Sequence, residues 1–147
     1  MRAFLAGLAL CGALCAAGCS DPAPPVGRWH GAYEGDSAII VARLEIAPGG
    51  VIRVSAPNAF ADMRRLPQEQ RDHIRAQLDS GLQNGWTRIE PIALEFDGKT
   101  FRKPGGVAPQ MEWDAAEQEM TLIVYPGLME RIRIKLDAVA DFGGGGA

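Results

Sequence analysis

Past residue 19 this sequence contains no cysteine. The three it has are Cys11, Cys15 and Cys19, so the rest of the chain can form no disulfide, offers no reactive thiol and holds no Cys-x-x-Cys ligand pair. Histidine is almost as scarce. His30 and His73 make no His-x-x-x-His pair, and no clustered carboxylates complete a zinc-ligand spacing. Ser37, Ser55 and Ser80 lack the Gly-x-Ser-x-Gly turn that exposes a nucleophile. No motif names a reaction, and the expectation is a protein that is not an enzyme, with no cofactor and no metal. Excess positive charge is missing too. Fifteen Lys and Arg stand against 18 Asp and Glu, a net charge of −3, which argues against nucleic acid as a partner.

What is present first is a targeting pattern. Met1-Arg2 precedes an unbroken small and apolar run, Ala3 to Gly18, the charged and hydrophobic regions of a secretory signal. The run falls short of the ~20 apolar residues of a stable membrane span. Removing 18 residues from 147 leaves 129, about one domain, and because Arg2 goes with them the net charge becomes −4. Without disulfides, that domain must rely on an apolar core.

The run ends in Ala16-Ala17-Gly18-Cys19, which resembles the lipobox of bacterial lipoproteins. The resemblance implies that residues 1–18 are a signal peptide to be removed. Cys19 would become the acylated mature N-terminus, carrying palmitate-type chains that anchor the protein to a membrane. Ser20 rather than Asp follows the cysteine, which in the enterobacterial members implies the outer membrane, with the soluble part in the periplasm. Ser20-Asp21-Pro22-Ala23-Pro24-Pro25 reads independently as an extended tether over 19–26, since its prolines block helix and deny ladder hydrogen bonds.

From Trp29 onward the pattern is alternation punctuated by tight turns. Strands are expected over 29–34, 37–47 and 51–56, with turns at Gly35-Asp36 and Pro48-Gly49-Gly50. A helix follows, opening near Pro67 and carrying Ile74, Leu78 and Leu82 on one stripe until Asn84-Gly85. Further strands are expected over 86–96, 99–103, 110–114, 119–125 and 128–136, with Asp97-Gly98 as a hairpin turn that requires positive φ. The fold class is mainly β: about eight antiparallel strands in a small barrel or strongly bent sheet, with one helix inserted after the third strand. This domain spans 27–139, and the glycine-rich residues 140–147 are expected to be a flexible tail.

Gly27-Arg28-Trp29 resembles the Gly-x-Trp signature of lipocalins and related ligand-binding barrels. The resemblance implies that Trp29 closes one barrel end against a basic residue of the last strand, here Arg131 or Arg133, and that an apolar cavity takes a lipid-like ligand. Arg131, Arg133 and Lys135 alternate with Ile132, Ile134 and Leu136, which makes one strand face basic. With Lys99, Arg102 and Lys103 nearby, that face would offer an anion or lipid-headgroup site. The plainer reading is a solvated outer face paired with carboxylates such as Glu95 or Glu119.

Two functions stay open at this stage. The first reading, which the lipocalin resemblance implies, is a lipid-anchored carrier of a small apolar molecule. The other is a non-enzymatic inhibitor or assembly module with a filled core that contacts an envelope protein, with the loop from Lys103 to Gln110 as its candidate contact.

Overall fold

The computed structural model describes residues 20–127 and 129–143. The signal segment, Cys19 and the last four residues of the tail lie outside the described residues.

Among the described residues, nine strands and one α-helix follow in chain order: β1 (Gly27–Glu34), β2 (Ala38–Ile46), β3 (Ile52–Ser55), β4 (Asn58–Phe60), α1 (Gln68–Gly85), β5 (Glu95–Phe96), β6 (Thr100–Arg102), β7 (Pro109–Asp114), β8 (Glu119–Val124) and β9 (Ile132–Val139). They form one antiparallel sheet in the order β3-β2-β1-β9-β8-β7-β6-β5, with the short β4 also pairing β2. The sheet curls until its edges touch. Ile92, just before β5, donates its N–H to the Ile52 carbonyl of β3 at 2.9 Å, so a single bridge joins the two edges of a barrel-like sheet. The mainly β, antiparallel architecture with one helix is the one the alternation predicts.

Register decides which side chains share the interior. Trp29 opposes Leu44 and Ala138, and Met120 opposes Leu136. Partners in an antiparallel ladder point to the same face. Trp29, Ala38, Ile40, Ala42, Leu44, Ile46, Phe101, Met111, Met120, Leu122, Ile132, Ile134 and Leu136 therefore converge in one buried cluster, flanked by Tyr33, Phe96 and Trp113. Most of these side chains are fully buried. They fill the inner face of the curl.

β2 is covered on both faces. Its outward Ile39, Val41 and Arg43 are as buried as its inward residues, because α1 packs against that side of the strand. Of the helical stripe, Leu82 is fully buried while Ile74 and Leu78 are half-buried. The helix thus lies on the outside of the sheet.

Four segments depart from expectation. A short fourth strand, Asn58–Phe60, pairs β2 where no strand is expected, so the helix follows the fourth strand and not the third. The strand expected over 86–96 survives only as Glu95–Phe96, because Trp86–Arg88 forms a turn of 3-10 helix in which Trp86 packs edge-to-face on Phe142, ring centroids 4.9 Å apart. Pro91 beside it has no N–H for a ladder. β9 runs three residues later than expected at its C-terminal end, ending at Val139 against β1. The tether has no regular secondary structure, but Pro24 and Pro25 are half-buried against the barrel.

The first and last strands meet at Gly31. A Cβ built there would collide with the Lys135 carbonyl oxygen and approach Leu136 Cδ2 to 2.8 Å, so only glycine lets the two backbones come this close. Gly31→Ala is expected to lower stability by about 1–3 kcal/mol. Gly81→Ala, on the exposed face of α1 with nothing within 4 Å of its Cβ, should raise stability by roughly 0.5–1 kcal/mol. Urea midpoints of the two variants against the parent chain check both.

Candidate functional site

Trp29 is buried at the start of β1, its indole meeting Trp113 of β7 edge-on with centroids 5.9 Å apart. The stacking expected from Arg131 or Arg133 is not formed. Ala138 is the register partner of Trp29, so the even-numbered residues of β9 share its face and Arg133 lies on the other, while Arg131 precedes the strand. Arg133 instead holds Glu112 of β7 with both terminal nitrogens, one of them at 3.1 Å. Arg131 is exposed.

Of the other basic candidates, Lys135 and Arg102 are paired with carboxylates. Lys135 pairs with Glu119 at 2.8 Å, one of the carboxylates the plainer reading names, and this partner raises the lysine pKa. The Arg133 hydrogen bond lowers the Glu112 carboxyl. Arg102 binds Asp97 at 2.7 Å and the Val107 carbonyl at 3.2 Å. Lys99 lines an open groove of about 580 Å³ over the outer face of β7 to β9, but Glu112, Asp114 and Glu119 line it too. Lys103 is exposed in the loop after β6. Of the candidate cations, the groove brings together Lys99 and Arg133, with those three carboxylates beside them.

Asp97 organises the β5–β6 hairpin, where Gly98 takes φ +96°. Its carboxylate accepts the Thr100 N–H, the Thr100 hydroxyl, an Arg102 N–H and the Lys99 N–H, all within 2.7–2.9 Å. These donors, the Thr100 backbone N–H foremost, hold its pKa well below the usual carboxylate range.

A cluster that the alternation did not reveal lies between α1 and the sheet. Arg43, an outward residue of β2, has a side chain only 4% exposed. Its Nη2 donates to Asp79 Oδ1 of α1 at 3.2 Å, and His30 Nε2 of β1 meets the same oxygen at 3.2 Å. The guanidinium lies 5.1 Å from the Phe142 ring centroid, a cation–π contact, while its Nε is buried without a partner. Cavities of about 170 and 350 Å³ flank Phe142, both reaching Arg43. The charges here are mixed, with Arg28 and Arg43 opposed by Glu45, Asp79 and Asp141 around those cavities. The cluster is a clasp: it fastens helix and C-terminal segment to the sheet. His73 is exposed on α1 and takes no part. Among the described residues, no group of three or more His, Cys, Asp or Glu side chains is placed to hold a metal ion.

The remaining chemistry is at the barrel ends. The pair Val124↔Ile132 places the β8–β9 connection at one end, and Arg102↔Pro109 places the β6–β7 loop beside it. The Tyr125 hydroxyl donates to the Pro109 carbonyl at 2.7 Å, tying the two loops together. They present Val107 at 89% and Met129 at 99% exposure. Gly27↔Ile46 and Arg28↔Val139 place the tether at the opposite end. Comparison with family models, curated proteins and solved structures gives no match.

Two measurements test this geometry. Asp79→Asn leaves the buried Arg43 without its counter-charge and is expected to cost about 1.5–3 kcal/mol; adding Arg43→Met should recover part of that loss in the urea midpoint, since the uncompensated charge goes with it. Asp97 tests pH dependence. A carboxyl with a depressed folded pKa stabilises the fold above its unfolded value of 3.8, and that stability is lost as pH falls through the folded value. Asp97→Asn should therefore lower stability at about pH 7, with the difference from the parent shrinking toward roughly pH 2.

Proposed function

We propose that this chain is a lipid-anchored cell-envelope protein whose β domain is a non-enzymatic interaction module, contacting a protein of the envelope through the two loops at the barrel end far from the tether. Acylation at Cys19 holds it to the outer membrane on the periplasmic side. The observation that carries the reading is the pairing of a filled interior with two aliphatic side chains, Val107 and Met129, almost wholly exposed on loops joined by the Tyr125–Pro109 hydrogen bond. Scattered exposed apolar residues need no explanation, but a group at one end does. The loop from Lys103 to Gln110, the candidate contact in the sequence, supplies half of this surface.

A carrier of a small apolar ligand would need an interior cavity of several hundred cubic ångströms. The inner faces of β2, β6, β7, β8 and β9 instead present Leu44, Phe101, Met111, Met120 and Ile134 at full burial, which favours the module.

A photoreactive amino acid at Val107 or at Met129 of the full chain, illuminated in cells, is expected to give the same discrete adduct from both positions. The probe at Gln77, on the exposed side of α1, should give none. No adduct from either loop, together with a small apolar molecule released from the purified domain in native mass spectrometry, would replace the module by the carrier.

A further inference from the structure

The tether does not leave the domain as a free spacer. A Cβ built on Gly98 would lie 3.4 Å from Pro22 Cγ, and one on Gly50 would lie 3.7 Å from Pro24 Cγ. Residues 22–24 therefore run across the barrel end formed by the β2–β3 and β5–β6 hairpins. Pro22 is three residues beyond Cys19, at most about 10 Å of extended chain.

The same end carries a second group of exposed aliphatic side chains: Val26 at 59%, Val51 at 45% and Ile92 at 40% exposure. β1 and β3 lie on either side of β2, and Ile92 bridges to β3. The pairs Gly27↔Ile46, Ile46↔Ile52 and Ile52↔Ile92 form one continuous rung around this rim. Val26 and Val51 each sit one residue before a member of that rung.

We infer that this rim, Val26, Val51 and Ile92, is a membrane-contact surface on which the domain lies in the interface of a lipid bilayer. The inference rests on the reading of Cys19 as acylated. The occupant follows from the chain length: acyl chains attached at Cys19 enter the bilayer within about 10 Å of Pro22, and a bilayer that close meets the rim before anything else. With three aliphatic side chains on the rim, the contact is shallow, at the depth of interfacial segments. Three aliphatic side chains are too few to hold an unacylated domain there. Once the anchor is in place they orient it.

The charge around the rim points to lipid of either headgroup type. Arg53 is bound to Glu45 and to the Ile89 carbonyl, and the same Glu45 holds Arg28 at 2.7 Å. The surface is not polybasic, so its contact should be insensitive to salt. The loops with Val107 and Met129 then face away from the membrane.

The test uses the full acylated chain, extracted from cells and reconstituted into phosphatidylethanolamine–phosphatidylglycerol vesicles. Val51→Cys, Ile92→Cys and Met129→Cys variants each carry a polarity-sensitive fluorophore, and intact mass reports acylation at Cys19. The expected result is blue-shifted emission, quenched by a lipid-borne quencher, at positions 51 and 92, with solvent-like emission at 129, unchanged by salt. Solvent-like emission at 51 and 92 in a chain whose mass shows the acyl groups would overturn the membrane rim and leave the anchor standing. A mass showing unmodified Cys19 would overturn the anchor, and the rim with it.

Discussion

The first strand of this domain must touch the last, and it can do so only because residue 31 has no side chain. The β1–β9 ladder has just three register pairs, Arg28, Trp29 and His30 against Val139, Ala138 and Asp137, before Gly31 presses against the Lys135 carbonyl and Leu136. Everything to one side of that seam is β1 to β4, and everything to the other is β5 to β9. Without the close approach the two halves would be separate, weakly covered sheets, and the inner side chains of each would lose their partners in the other. The contact is also the most distant in sequence, so its loop-closure entropy must be offset by the interior it seals.

The second constraint is the coverage of β2. A strand whose two faces are both buried normally reads as a continuous apolar run, and Ala38–Ile46 is one except for Arg43 and Glu45. Arg43 is the exception that shows how the helix is held. Burying a guanidinium is unfavourable unless it is paired and hydrogen-bonded, so its presence under α1 makes docking depend on Asp79 being at the right turn of the helix. A purely apolar contact would tolerate sliding. The ion pair, with His30 on the same carboxylate oxygen and Phe142 over the guanidinium, selects one registration of helix, sheet and C-terminal segment.

With the inner face of the sheet buried and Arg43, Arg102, Arg133 and Lys135 each held by a carboxylate, the two ends of the barrel carry the exposed aliphatic residues. They differ in kind. One is crossed by the proline tether and rimmed by valines and an isoleucine; the other presents Val107 and Met129 on loops joined through Tyr125. In the proposed arrangement, a bilayer takes the first and a protein takes the second. A small rigid domain with no disulfide suits such a role, because its stiffness comes from ladder closure and tight packing.

Much of the fold was legible in the residues, and much of the surface was not. The alternation of β9, the apolar run of β2, the turns at Gly35-Asp36, Pro48-Gly50 and Asp97-Gly98, and the stripe of α1 all follow from local geometry: period two, positive φ and period 3.6 are written into neighbouring residues. The segment 86–96 was misread because its fate depends on Trp86 meeting Phe142, more than fifty positions away. A family resemblance implies Arg131 or Arg133 against Trp29, whereas the register of β1 on β9 puts Arg133 on the opposite face and Arg131 lies before the strand. The sequence by itself determined the strands, the turns and the polarity of each face, since those are properties of short stretches. Only the tertiary structure decided that Arg43 is buried, that the interior is full, that the tether lies against Gly50 and Gly98, and which exposed aliphatic residues share an end, because each of these is set by which distant strands become neighbours.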